Sequence, residues 1–112
     1  MRACTLSDLP EEGAIKVHLA GKDICVARSE GQVYAIYDTC SHADVSLSEG
    51  DVEDGTVECW LHGSCFDLRT GKPTHLPATE PVATFPVEIR DVDGSATVWV
   101  DTETTLNGVT PT

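Results

Sequence analysis

Apolar and polar residues alternate with a period of two along much of the chain, which is typical of strands that bury one face. Turn-forming sequences separate the alternating segments at residues 20–23, at Glu30-Gly31 and at residues 93–95. The pattern therefore predicts an antiparallel meander and, later in the chain, a closing hairpin. A short helix or turn is expected only at residues 7–12. The predicted strands cover residues 14–19, 24–28, 32–37, 87–92 and 96–100.

The middle of the chain has a different character, because glycine and acidic residues are frequent between residues 38 and 80. Short strands are predicted within this segment at residues 56–59 and 64–67. We interpret residues 38–80 as a small lobe inserted into a base of six or seven strands, formed by residues 1–37 and 81–112. A chain of 112 residues is long enough for this single domain and too short for a second, catalytic one.

Two short pairs of potential metal ligands lie inside this middle segment. They are Cys40-x-His42 and, after sixteen further residues, Cys59-x2-His62. Together they offer two thiolates and two imidazoles, the donor set of a Rieske-type [2Fe–2S] cluster, in which two Cys hold one iron and two His hold the other. Zinc accepts the same donors in a tetrahedron. Zinc sites more often group Cys with Cys and His with His, so the alternation favours the cluster and leaves a structural zinc module as the alternative.

With these ligand pairs, the chain resembles a Rieske-type ferredoxin of the kind that serves non-haem iron aromatic-ring dioxygenases, and the resemblance covers nearly its whole length. It implies an all-β fold: an antiparallel β-sandwich or barrel base with a small inserted cluster-binding lobe. It also implies the role of each ligand. Cys40 and Cys59 would hold the buried iron, and His42 and His62 would hold the outer iron, close to the surface.

The resemblance implies three further features of the site. Pro77 and its neighbours resemble the proline loop that shields the cluster from water in this family. Ser64 is expected to donate a hydroxyl hydrogen bond to the cluster. Phe66 stands where high-potential members have Tyr, while Val45 and Leu61 stand where respiratory members have a loop disulfide. We therefore expect a midpoint potential towards the lower end of the Rieske range of about −150 to +300 mV.

The remaining Cys residues and the overall composition indicate a reducing compartment. Five Cys in an acidic chain that shows no apolar leader point away from a disulfide framework and towards a soluble cytoplasmic protein. Cys25 is expected in the core, Cys65 on the strand that leaves the second ligand loop, and Cys4 near the surface. No apolar run has the length needed to span a bilayer. The polar tail, residues 102–112, is expected to be loosely ordered.

The formal net charge of −12 is concentrated around the ligand pairs. Between Ser29 and Leu68 there is no Lys or Arg, whereas nine Asp and Glu residues occur. Nucleic acid and anionic membranes would be repelled by this segment, which argues against both as partners. A basic patch on a redox partner would be attracted to it. The alternative is that the acidic surface serves only to keep the protein in solution.

The sequence contains no convincing substrate-activating group other than the predicted cluster, so we expect an electron carrier and not an enzyme. The resemblance implies that it accepts electrons from an NAD(P)H-dependent flavoprotein reductase and passes them to a terminal non-haem iron oxygenase. Three alternatives remain open at this point. They are a Rieske ferredoxin for another process such as iron–sulfur cluster assembly, the zinc module, and a small reductase subunit similar to those of nitrite reductases.

Overall fold

The computed structural model describes residues 1–40, 45–60, 63–74 and 80–109. In these residues the chain forms ten β-strands and two short 3-10 helices, Leu6–Asp8 and Leu47–Glu49, and no α-helix. The all-β prediction is therefore confirmed. The strands are β1 (Arg2–Thr5), β2 (Gly13–Leu19), β3 (Lys22–Ser29), β4 (Gln32–Tyr37), β5 (Val52–Glu53), β6 (Thr56–Glu58), β7 (Cys65–Asp67), β8 (Thr84–Phe85), β9 (Val87–Val92) and β10 (Ser95–Val100). Across the same parts of the chain, no helix has the length and apolar character needed to cross a membrane.

The described strands form three antiparallel sheets, ordered β2-β3-β4-β8, β1-β10-β9 and β5-β6-β7. The predicted meander is β2-β3-β4, and the predicted closing hairpin is β9-β10. The first two sheets hold seven strands, within the predicted six or seven. Three strands were not predicted, β1, β5 and β8, because two of them have two residues each and β1 lacks a clear alternation.

Tight two-residue turns join the strands of the meander. In the turn between β3 and β4, both Glu30 (φ 52°) and Gly31 (φ 78°) adopt the left-handed conformation. The turn between β2 and β3 is built in the same way, from Ala20 (φ 51°) and Gly21 (φ 79°). Turns of this kind match the right-handed twist of the strands that they connect, so they set the register of the meander.

Strand β3 is buried on both of its faces. Ile24 and Val26 pack into an apolar cluster with residues of the β1-β10-β9 sheet, while Cys25 and Ala27 pack into a second cluster with apolar residues of the middle segment such as Leu47 and Phe66. All four β3 residues have no exposed surface. A strand covered on both sides reads as a continuous apolar run, which is why residues 24–27 do not alternate. The middle segment is thus packed directly against this strand.

A polar network also ties the middle segment to the meander. The buried Ser29 hydroxyl donates to the Glu12 carboxylate (2.8 Å) and accepts from the Gly55 N–H (2.8 Å). The Gly55 carbonyl in turn accepts from the Leu68 N–H (2.9 Å). The Glu30 N–H donates to Glu12 as well, at 2.6 Å, and these bonds lower the pKa of the Glu12 carboxyl. The network fixes the turn between β5 and β6 against the end of β3.

The described part of the C-terminal tail, residues 102–109, is fixed by Asn107, contrary to the expectation of a loosely ordered segment. The Asn107 side-chain amide donates to the Thr70 carbonyl (2.9 Å) and to the Val82 carbonyl (3.0 Å). Its side-chain oxygen accepts from the Thr84 N–H at 3.3 Å. A single tail residue therefore joins the turn after β7 to strand β8. Sequence reasoning missed it because a lone Asn in a polar tail gives no signal of a distant backbone partner.

We expect Asn107→Ala to destabilise the protein, because it leaves the carbonyls of Thr70 and Val82 without their donor. Loss of such bonds costs about 1–3 kcal/mol, which lowers the melting temperature of a domain this size by roughly 4 °C per kcal/mol. Thermal unfolding followed by circular dichroism measures the change. Thr104→Ala, at an exposed position of the same tail, is the matched control. Equal melting temperatures for the two variants would contradict the role given to Asn107.

Candidate metal centre

The two predicted Cys ligands occupy equivalent positions in two loops. The Cys40 N–H donates to the Val45 carbonyl (3.0 Å), and the Cys59 N–H donates to the Ser64 carbonyl (2.6 Å). Each bond joins a Cys to the residue five positions later and so closes the neck of a short loop. The two loops share this closure although their sequences differ in the spacing of the predicted His ligand.

Both Cys side chains face inwards from their loop necks. Cys40 is 3% exposed and Cys59 has no exposed surface. They belong to one apolar cluster, which also contains Leu47 and Phe66. The structure therefore brings two thiols from separate loops into the same buried environment, as a cluster with two thiolate ligands on its inner iron requires.

The first loop is held by the backbone on either side of its neck. Thr39 forms an isolated bridge with Ser46, and the Leu47 N–H donates to the Asp38 carbonyl at 2.6 Å. The residues that follow run against β6, which leads into the second loop. A Cβ at Gly50 would overlap the carbonyl group of Glu58. Glycine at this position is therefore what lets the chain after the first loop approach the end of β6 closely.

The chain is anchored on both sides of a third segment, the one that contains Pro77. The Thr74 N–H donates to the Cys65 carbonyl (2.7 Å), and the Val82 N–H donates to the Gly71 carbonyl (2.9 Å). These two bonds anchor the chain before and after the segment that contains Pro77. Pro77 itself lies outside the described residues, so its shielding role stays a prediction.

The two residues expected to tune the cluster are both inside the protein. Ser64 and Phe66 have no exposed surface. Phe66 lies on β7 and packs into the apolar cluster that contains Cys40 and Cys59. A phenyl ring offers no hydroxyl donor there, so the position that carries Tyr in high-potential Rieske proteins contributes only packing in this chain.

The other Cys residues occupy the positions predicted for them. Cys25 is completely buried in β3, and burial, together with the nearby Asp38 carboxylate, raises the pKa of its thiol far above the ordinary value. Cys65 is a partly exposed residue of β7, and partial burial and Glu58 raise the pKa of its thiol. Cys4 is also partly exposed. Raised pKa values keep such thiols protonated, which disfavours a role as ligand or nucleophile.

Predicted ligands His42 and His62 lie outside the described residues, and so does the acidic residue Asp44. Among the residues that are described, no three His, Cys, Asp or Glu side chains form a group that could hold a metal ion. Such a group would need the two His. The complete four-ligand set, Cys40, His42, Cys59 and His62, therefore stays a prediction, while the environment of its two Cys members is known.

Comparison with protein families identifies the fold and the cofactor together. The family model described as "Rieske [2Fe-2S] domain" matches residues 1–86. The chain belongs to the Rieske [2Fe–2S] family. A Rieske-type [2Fe–2S] cluster is therefore its cofactor, and the zinc alternative is set aside. The two buried Cys at the loop necks fit the thiolate half of this donor set.

Named proteins of this family are similar to the chain over most of its length. The 3-phenylpropionate/cinnamic acid dioxygenase ferredoxin subunit of Photorhabdus laumondii is 48% identical over 89 residues, which cover 79% of this chain and 84% of that protein. The ferredoxin of carbazole 1,9a-dioxygenase from Nocardioides aromaticivorans IC177 superposes with a TM-score of 0.74 at 34% identity, covering 88% of this chain and 94% of that chain. A solved complex of reduced oxygenase and oxidized ferredoxin in carbazole 1,9a-dioxygenase contains a chain with a TM-score of 0.76 and 35% identity, with coverage of 88% and 90%.

Sequence reasoning did not foresee the burial of Asp38. As one of the acidic residues between Ser29 and Leu68, Asp38 is expected from the sequence to add to the surface charge, but it is 1% exposed. Its carboxylate accepts from the Ser48 N–H (2.8 Å) and lies 3.7 Å from the Lys16 ammonium. An Asp at the end of an alternating strand gives no sign of burial, because its partners come from distant positions.

Replacing His42 or His62 with Ala should abolish the native Rieske cluster, because one iron would lose a ligand that its loop cannot replace. The visible absorption spectrum and the EPR spectrum of the dithionite-reduced protein are the measurements. His18→Ala is the matched control, since this exposed His forms only a surface pair with Asp23 (2.8 Å). If either loop variant retained the native spectra, the ligand assignment would be wrong.

Hydrogen-bond donors stabilise the more negative, reduced cluster. Ser64→Ala removes a donor and should lower the midpoint potential, whereas Phe66→Tyr supplies one and should raise it. Protein-film voltammetry of the variants and the parent gives the potentials. Phe85→Tyr, a buried Phe in the other apolar cluster, controls for the added hydroxyl. A parent potential well above zero would contradict the low-potential assignment.

Proposed function

We propose that this protein is a one-electron carrier that accepts electrons from an NAD(P)H-dependent flavoprotein reductase and delivers them to a terminal non-haem iron oxygenase. The observation that carries the proposal is the pair of buried Cys at the necks of two loops in a chain of the Rieske family. The similar proteins that are named as dioxygenase ferredoxins support the same class of partner.

Different residues of the chain would bind the cluster and contact a partner protein. In this proposal Cys40 and Cys59 would hold the inner iron, and His42 and His62 would hold the outer iron. The bound cluster supplies a site that stores a single electron. Trp60, in the second loop, is 51% exposed. An exposed indole beside a ligand pair offers apolar contact area to a docking partner.

The surface around the loops is suited to a basic partner. Acidic side chains that are exposed there include Glu49, Asp51, Glu53, Asp54 and Glu58. No Lys or Arg occurs between Ser29 and Leu68 to offset them. Complementary charge of this kind accelerates association and fixes orientation more than it adds affinity. Membrane or nucleic-acid binding is not part of the proposal, which assigns the protein to the cytoplasm because the proposed reductase uses NAD(P)H.

A reconstituted electron-transfer chain tests the proposal. Purified protein, a flavoprotein reductase and a terminal oxygenase are combined with NAD(P)H, and aromatic acids such as 3-phenylpropionate and cinnamate are the first substrates to try. We expect product formation that depends on this protein and stops when it is omitted. Rapid reduction by the reductase without onward transfer to any such oxygenase would point to another pathway.

Electron transfer from the reductase should slow as ionic strength rises, because salt screens the acidic surface over about 8–10 Å. The triple variant Glu49→Gln/Asp51→Asn/Glu58→Gln should lower the association rate measured by stopped-flow reduction and leave the cluster spectrum unchanged. Asp91→Asn/Asp93→Asn/Glu103→Gln is the matched control, with an equal charge change at exposed positions elsewhere. A rate indifferent to salt and to both triple changes would mean that the acidic surface serves solubility alone.

A further inference from the structure

The Asp38 carboxylate is buried beside the neck of the first ligand loop. Asp38 follows β4 and stands two residues before Cys40, so that the two Cα atoms are at most about 7 Å apart. Its backbone N–H donates to the Asp23 carbonyl (3.0 Å), and its backbone carbonyl accepts from the Leu47 N–H (2.6 Å). Its side chain accepts from the Ser48 N–H at 2.8 Å. Asp38 is thus bonded to residues on both sides of the loop.

The Asp38 carboxylate forms an ion pair with Lys16, which lies outside the acidic segment in the sequence. The Lys16 ammonium lies 3.7 Å from Asp38 Oδ2, and the Lys side chain is 45% exposed while the Asp side chain is 1% exposed. Lys16 belongs to β2, where it pairs with Cys25 of β3. A buried carboxylate is costly unless it is paired and hydrogen-bonded, and here both conditions are met.

The field of Asp38 reaches the apolar cluster that contains the ligand thiols. Asp38 stands two residues before Cys40. Cys25 packs in the same cluster as Cys40 and Cys59, and the pKa of its thiol is raised chiefly by burial and additionally by the Asp38 carboxylate. A negative charge in such a position disfavours addition of an electron nearby, and a cation that partly neutralises it favours that addition. Between Ser29 and Leu68 the sequence has no Lys or Arg of its own.

We propose that the Asp38–Lys16 pair positions the first ligand loop and sets the reduction potential of the iron–sulfur centre. Asp38 holds the neck of the loop through Leu47 and Ser48, and Lys16 offsets its charge. The pair provides part of the loop support in a chain that has Val45 and Leu61 where respiratory members have the disulfide. This inference rests on the proposed electron-carrier function and on Cys40 as a ligand, and it concerns residues that donate nothing to the cluster themselves.

The two roles can be separated by substitution. Asp38→Asn keeps a side-chain oxygen that can accept from Ser48 but removes the charge. Lys16→Gln leaves every backbone bond of the loop in place and exposes the cluster to the uncompensated carboxylate. The matched controls are Asp23→Asn and Lys22→Gln, which change the net charge equally. Asp23 is bonded to Asp38 through its carbonyl only, and its side chain is half exposed in the surface pair with His18.

Protein-film voltammetry measures the midpoint potentials of the four variants without any partner protein. Asp38→Asn should raise the potential and Lys16→Gln should lower it. Each substitution should change the equilibrium constant for reduction by on the order of tenfold, which corresponds to about 59 mV for one electron. An effect of this size is expected for unit charges about 10 Å apart at an effective dielectric constant of about 20. Shifts no larger than those of Asp23→Asn and Lys22→Gln would overturn the charge role.

The positioning role is tested by Asp38→Ala, which removes the acceptor for Ser48. We expect a lower yield of protein with bound cluster and a broadened EPR signal, with rescue of both by Asp38→Asn. An Ala variant with parental yield and spectrum would overturn the positioning role. These readouts need neither reductase nor oxygenase. A negative result here therefore leaves the proposed function standing, and a negative result from the reconstituted electron-transfer system leaves this inference standing.

Discussion

The site depends on the burial of β3 from both sides. One face of this strand packs against the β1-β10-β9 sheet, and the other packs against the segment that carries the ligand loops. Four consecutive residues, 24–27, have no exposed surface. Burial of each large apolar side chain contributes about 1.5–3 kcal/mol. The same strand therefore stabilises the protein as a whole and provides the rigid surface on which the loops rest.

On that surface, backbone hydrogen bonds supply the order that a cluster needs. The equivalent closures at Cys40 and Cys59, the close approach at Gly50 and the anchors of Asp38 all use main-chain groups of neighbouring turns. Preorganised N–H groups and fixed side chains limit reorganisation when charge changes, which is the property that an electron carrier requires. Near the predicted ligands, Phe66 offers no hydroxyl donor, and the buried Asp38 carboxylate stands two residues before Cys40.

The sequence predicted the features that depend on local pattern. Alternation revealed the meander and the closing hairpin, the apolar run indicated that Cys25 is in the core, and the spacing of Cys and His indicated the cofactor. Features that depend on distant partners could not be predicted. The sequence gives no sign that Asp38 is buried, because its partner Lys16 is far away in sequence. It gives no sign that Asn107 is ordered, because the carbonyls that accept its hydrogen bonds, those of Thr70 and Val82, are also distant in sequence. Strand β8, with two residues, is identified only by its pairing with β4.

The pairing of β4 with β8 has a consequence for how the protein could be dissected. The Tyr37 N–H donates to the Ala83 carbonyl (2.8 Å), so the chain leaves and re-enters the four-stranded sheet at adjacent points. A short turn could bridge these points and delete everything between them without stretching the sheet. The product would expose the face of the meander that carries Cys25, Ala27 and Ile36. Such a truncated sheet would associate with itself or aggregate, whereas a homologous segment grafted between the same two points would cover that face again.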